Sequence, residues 1–143
     1  MRIAVDAMGG DFAPLEIVRG ALPAVNAKRG LEVVLVGREE EIRKVLEAEG
    51  VRELPAGLTI RHASEVIEIC DDPATAFKTK KDSSITVGLN MVRNGEADAF
   101  VSAGSTGALL SAATLVVKRI RGIRRAAMAP VIPTAAGKAV LID

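Results

Sequence analysis

The stretch Arg2-Ile3-Ala4-Val5-Asp6-Ala7-Met8-Gly9-Gly10-Asp11 sets the reading of the fold. Ile3 to Val5 form a short apolar strand that ends on an acid, Asp6, and Gly9-Gly10-Asp11 make a loop. Pro14 suits a first helical turn, because the N–H it lacks has no partner there. Leu15, Val18, Leu22 and Val25 then recur at helical spacing, with Pro23 expected to kink or shorten the helix. Strand, glycine loop and helix make the opening half of a βαβ unit.

The same alternation continues outward. Leu31 to Val36 is a near-continuous apolar run, as in a strand covered on both faces. The charged helix after it turns Ile42, Val45 and Leu46 inward and stops at Gly50. Leu58 to His62 reads as a third strand and Pro73 to Lys81 as a helix. Ser83 or Ser84 caps a further helix carrying Ile85, Leu89 and Val92, closed by Asn94-Gly95. Ala99 to Ser102 is another strand, and the Gly104–Gly107 turn leads into a helix through Leu109, Ala113, Val116 and Ile120. Ala126 to Ile132 and Ala139 to Ile142 are the last strand candidates. This order predicts an α/β fold with a mostly parallel, helix-covered sheet. Residues 1–143 read as a single α/β domain or fragment. Because the chain stops at Asp143 on an apolar strand, it reads as the N-terminal part of a longer one.

Hydrophobic residues make up 49% of the chain and charged residues 26%, with a net charge of +1, the balance of a folded domain. With three Phe, no Trp and no Tyr, there is little from which to build base-stacking platforms, which argues against a nucleic-acid partner. A single cysteine excludes an internal disulfide and a cysteine-rich metal site. The start of the chain shows no signal-peptide pattern, so the expected compartment is the cytoplasm. Ala99 to Val117 is uncharged and precedes a basic run, like a membrane span with a positive flank. Gly104 to Gly107 interrupt it, and strand, turn and buried helix account for the same residues.

Three stretches carry polar chemistry. Asp6 to Asp11 lie at the carboxyl end of the first strand, where open α/β sheets bind ligands. Gly9 and Gly10 let backbone N–H groups approach a phosphate at a helix N-terminus; the plainer alternative is a tight turn in which Asp11 caps the helix. Asp6 and Asp11 repel an anion, so their role is to orient a cation or loop amides. Lys78-Thr79-Lys80-Lys81-Asp82-Ser83-Ser84 is either an oxyanion site or a solvated basic turn with an ordinary serine cap. Ser102-Ala103-Gly104-Ser105-Thr106-Gly107-Ala108 has the layout of an anion-binding turn. No Lys-Ser/Thr pair follows Gly107, so it is not a Walker loop, and no dinucleotide fingerprint is present. His62 reads as a polar contact at a strand end, since no nucleophile elbow exists for a triad. Cys70 reads as a small buried apolar residue. Lys118 to Arg125 reads as a solvated helix end, or as a surface for an acidic partner.

Taken in order, Arg2 to Asp11, His62-Ala63-Ser64-Glu65-Val66-Ile67, Lys80-Lys81-Asp82-Ser83-Ser84 and Ser102 to Leu109 resemble the bacterial fatty acyl-ACP:phosphate acyltransferases. The resemblance spans the whole chain. Two positions depart from the family pattern: Phe12 stands where His follows Gly-Gly-Asp, and Ser105 where the glycine turn carries Asn. The resemblance implies a three-layer α/β/α fold like that of isocitrate and isopropylmalate dehydrogenases and phosphotransacetylase. It implies transfer of an acyl group from acyl carrier protein to inorganic phosphate, giving acyl-phosphate for phospholipid synthesis, with no cofactor and no metal. It also implies a homodimer with peripheral membrane association through segments outside this chain. Phosphate is already a nucleophile, so the protein need only hold a dianion against a thioester and stabilise the oxyanion. Lys80, Lys81, Ser83 and Ser84 are assigned to phosphate, and Ser102, Gly104, Ser105, Thr106 and Gly107 to phosphate or oxyanion. Gly9 and Gly10 line the site, and Asp6 and Asp11 orient those groups. The competing expectations are a phosphotransacetylase using acyl-CoA, a sugar- or acetate-kinase-like ATPase, and an inactive self-associating fragment. The ATPase fold returns as a hairpin where Pro14 and the Leu15/Val18/Leu22 period argue for a helix.

Overall fold

Val33, Val34, Leu35 and Val36 are all buried, and this run forms the middle of the sheet. A strand with no polar side chain at four successive positions must be covered on both faces. The computed structural model, which describes residues 1–27 and 30–142, shows that cover. Strands β1 (Arg2–Asp6), β2 (Glu32–Gly37), β3 (Leu58–His62) and β4 (Ala99–Val101) pair in parallel in the order β3-β2-β1-β4. Helix α1 (Leu15–Ala27) links β1 to β2, and α2 (Glu39–Ala48) links β2 to β3. The short α3 (Ala76–Thr79) and then α4 (Ser84–Arg93) lie between β3 and β4, and α5 (Thr106–Val116) follows β4.

The two-residue period of β2 divides the core. Val33 and Leu35 pack with Val18, Ala21 and Val25 of α1 and Ile42 and Leu46 of α2. Val34 and Val36 pack on the other face with Ala4 and with Met91 of α4. A third cluster joins Ile85 and Leu89 of α4 to Ala108 and Ala112 of α5. The result is a three-layer α/β/α arrangement, as the sequence predicts. The order β3-β2-β1-β4 has a consequence for function. The chain moves outward from β1 through β2 to β3, then crosses back to place β4 on the other side of β1. The connections on either side of the β1/β4 pair therefore diverge, and the carboxyl ends of these strands are where open α/β sheets of this kind place a ligand crevice.

Several local expectations are corrected. Pro23 does not end α1, which runs on to Ala27; Pro23 is exposed, so water can satisfy the carbonyl it leaves unpaired. The helix expected over Pro73 to Lys81 is confined to Ala76–Thr79, because Asp72 first makes a turn whose carbonyl accepts the amides of Thr75 and Ala76. Ile120 lies outside α5. Lys118 adopts a left-handed φ of 74° and its amide returns to Ala113, which ends the helix. The basic run Lys118 to Arg125 is consequently an exposed irregular segment and not a helix end. Of the last two strand candidates, only Val131–Thr134 (β5) and Gly137–Val140 (β6) are strands, paired antiparallel and exposed throughout. Two residues can join antiparallel strands but cannot make the crossover a parallel pair needs. The expectation placed on Asp143 lies outside the described residues.

Candidate active site at the carboxyl edge of the sheet

Asp6 ends β1 and is buried, 1% exposed, on the same face of the strand as Ala4. A buried carboxyl needs hydrogen bonds, and Asp6 has them. Its Oδ1 accepts the Met8 amide at 3.0 Å, and its Oδ2 accepts the Ser102 hydroxyl at 2.7 Å. The Ser102 oxygen in turn accepts the Gly104 amide at 3.0 Å. Asp6 and Ser102 thus staple the β1–α1 loop to the β4–α5 turn, across the crevice that the strand order creates.

The staple brings two glycine backbones together. A Cβ added at Gly9 lies 2.6 Å from Asp6 Oδ2 and 2.8 Å from the Gly104 nitrogen, so no other residue fits there. Gly10 takes a φ of 104°, and a Cβ there would lie 3.5 Å from Ala103. Ser105 caps α5, its hydroxyl accepting the Ala108 amide at 3.3 Å. Thr106 and Gly107 open the helix, and their amides have no carbonyl within it to bond. None of the described hydrogen bonds uses them. Small side chains, paired backbones and the positive end of an eleven-residue helix make this crevice suited to an anion.

Asp11 is exposed and four residues ahead of Leu15, where α1 begins, so it does not cap that helix. Phe12 is 73% exposed.

The lysine-rich stretch is arranged differently. Ser83 is fully buried as the cap of α4: its oxygen accepts the Thr86 amide, and its hydroxyl donates to Thr86 Oγ1 at 2.8 Å. Ser84 is 1% exposed. Lys80 Nζ donates to the Val66 carbonyl at 2.8 Å and to Asp71 Oδ2 at 2.5 Å. Lys81 is exposed and, among the described residues, enters no ion pair. Asp82 accepts the Ser64 amide at 2.9 Å and hydroxyl at 2.6 Å, which hold its carboxyl below the usual carboxylate range. The Asp82 amide donates back to Glu65. The Asp71 carboxyl is held low by Lys80 first and by the Glu68 amide second. The structure therefore brings Asp6, Gly9, Gly10, Ser102, Gly104, Ser105, Thr106 and Gly107 to one crevice. Lys80, Ser83 and Ser84 belong to a neighbouring, internally bonded loop. That loop meets the crevice through Pro73, which lies against Gly107.

Sequence reasoning missed Asp71, Asp72 and Ser64, which organise this loop. A carboxylate nine residues before a lysine carries no periodic signal, so pairing across an irregular segment leaves nothing to find. Cys70, expected in the core, is exposed beside the turn that Asp71 closes. His62 does sit at the end of β3, where Nδ1 accepts the Glu39 amide at 3.4 Å. Ala99 to Val117 resolves into strand, turn and helix, and no helix of the described residues is long and apolar enough to cross a membrane.

Comparison with known proteins places the whole chain in one family. A family model described as "Fatty acid synthesis protein" matches residues 1–143. The chain belongs to that family. It is 48% identical over its whole length to a phosphate acyltransferase of Thermoanaerobacter pseudethanolicus, covering 41% of that protein. It is 52% identical to one of Desulfitobacterium hafniense and 49% identical to one of Magnetococcus marinus, again over its whole length and covering 42% and 40% of those proteins. The chain thus spans about two fifths of the length of the curated relatives it matches.

Proposed function

We propose that the complete protein transfers a fatty acyl group from acyl carrier protein to inorganic phosphate, and that this chain supplies the phosphate side of the site. The observation that carries the reading is the stapled crevice. It offers backbone amides and a helix N-terminus where a dianion must be held, and its walls are too small to hinder a thioester approaching from outside. An oxygen of hydrogen phosphate attacks the thioester carbonyl, and the tetrahedral oxyanion collapses with loss of the thiolate. The proton from hydrogen phosphate ends on that sulfur. The products are acyl-phosphate and free carrier thiol. Asp6 takes no part in proton transfer in this scheme; with Ser102 it holds the two loops at the spacing the anion needs.

The names of the relatives support phosphate as the acceptor and an acyl group as the cargo. Carrier protein as the donor, phospholipid synthesis as the destination and a cytoplasmic homodimer at the membrane surface belong to the proposal. The β4 edge, where Val101 is 53% exposed, and the exposed β5–β6 hairpin suit association with further chain or a second copy. The test is acyl-phosphate formation by the complete protein with acyl carrier protein and with acyl-CoA as donors. Preference for the carrier thioester is the expected result, and equal or better use of acyl-CoA contradicts it. The 143-residue chain alone is expected to be silent in that assay and to self-associate; a strict monomer by light scattering contradicts the second expectation.

A further inference from the structure

We infer that Lys80 is a positioning residue, latched to Asp71 so that the segment between β3 and α4 holds the first turn of α5 in place, and that it does not itself contact phosphate. The Asp71 oxygen that receives Lys80 also accepts the Glu68 amide at 2.7 Å. Ammonium, carboxylate and main chain therefore meet at one half-shielded point and cinch residues 66 to 80 at their base. Asp72 fixes the next turn by accepting the Ala74 amide and the Thr75 hydroxyl. The cinched segment rests on the head of α5. A Cβ at Gly107 lies only 3.2 Å from Pro73 Cβ, and Ala76 and Phe77 share a buried cluster with Ala108 and Ala112. A carboxylate at 2.5 Å offsets the charge of Lys80 toward any anion. The same contact gives the pair a fixed geometry, which is what positioning requires. Lys81, exposed and outside any ion pair among the described residues, is the lysine left for an anion.

The kinetic part of the test rests on the acyltransferase reading; the exchange part does not. In the complete protein, Asp71→Asn and Lys80→Met are each expected to raise the phosphate KM about tenfold while kcat changes much less. The double variant should be no worse than either alone, because both changes open one latch. Lys80→Arg, which keeps charge and reach, should recover part of the loss. Hydrogen exchange at the Ala108 and Leu109 amides, both bonded to Ser105, should quicken in Asp71→Asn and Lys80→Met. Exchange at Val34 and Leu35 in the sheet should stay as it was. A Lys80 that bound phosphate directly would behave otherwise: Asp71→Asn would leave the phosphate KM unchanged or lower it, and α5 would not respond. Either result overturns the proposal, as does equal acceleration in sheet and helix, which marks a plain loss of stability. Should the parent enzyme make no acyl-phosphate while α5 alone responds, the latch stands and the acyltransferase reading falls.

Discussion

Two loop clusters share the carboxyl edge of one sheet, yet they treat their polar groups in opposite ways. The β1–α1 and β4–α5 connections use their side chains, Asp6 and Ser102, on each other, and the Thr106 and Gly107 amides at the head of α5 enter none of the described hydrogen bonds. The β3–α4 connection is rich in charge and hydroxyls, but its lysine, serine and aspartates are mostly spent on its own main chain. The residues that look most reactive in the sequence are thus the ones the fold consumes. What remains for a ligand is Lys81 and backbone, the latter presented by glycines of which Gly9 admits no larger residue.

Crowding the crevice is the harshest way to break this contrast. In Gly9→Val the new side chain begins 2.6 Å from Asp6 Oδ2 and 2.8 Å from the Gly104 nitrogen. The loops must part, at a cost of about 1–3 kcal/mol in stability, with activity falling about a hundredfold from the lost alignment. Denaturant midpoints and acyl-phosphate release by the complete protein check both numbers. Removing the exposed charge of the other cluster sharpens the contrast at smaller scale. Lys81→Ala is expected to raise the phosphate KM by roughly tenfold or less with no change in melting temperature. A melting temperature that falls instead places Lys81 in the packing.

Acid should produce the mildest effect. The carboxyls of Asp71 and Asp82 are both held below their ordinary value, by Lys80 and by Ser64 respectively. Groups lowered in the folded state stabilise it fully above the unfolded carboxylate value of about 3.9, and that contribution is lost as pH falls through the lowered values. Between neutrality and about pH 5 these two therefore contribute no slope to the stability curve. Ser64→Ala should flatten the acid limb below that range while leaving the neutral plateau's shape intact; an unchanged acid limb contradicts the assignment.

The parallel sheet and its helices were legible because burial leaves a period. Val33 to Val36 and the Val18/Leu22/Val25 spacing report covered faces directly. That the two glycine loops meet was legible too, since both follow the carboxyl ends of strands expected in one parallel sheet. Which lysine is free was not legible, because it depends on where Asp71 falls after an irregular excursion. The segment after Val117 was misread for a related reason. Ile120, Ile123 and Met128 are apolar but exposed, so apolar spacing in this segment marks no buried face.

The central claim is that phosphate is held by the backbone of the β1–α1 and β4–α5 loops. Titrating inorganic phosphate into the 15N-labelled complete protein and following amide shifts tests it directly. Saturable shifts centred on Gly9, Gly10, Thr106 and Gly107 are the expected result. Shifts that gather instead on the basic segment Lys118 to Arg125, or that leave those four amides unmoved, contradict it.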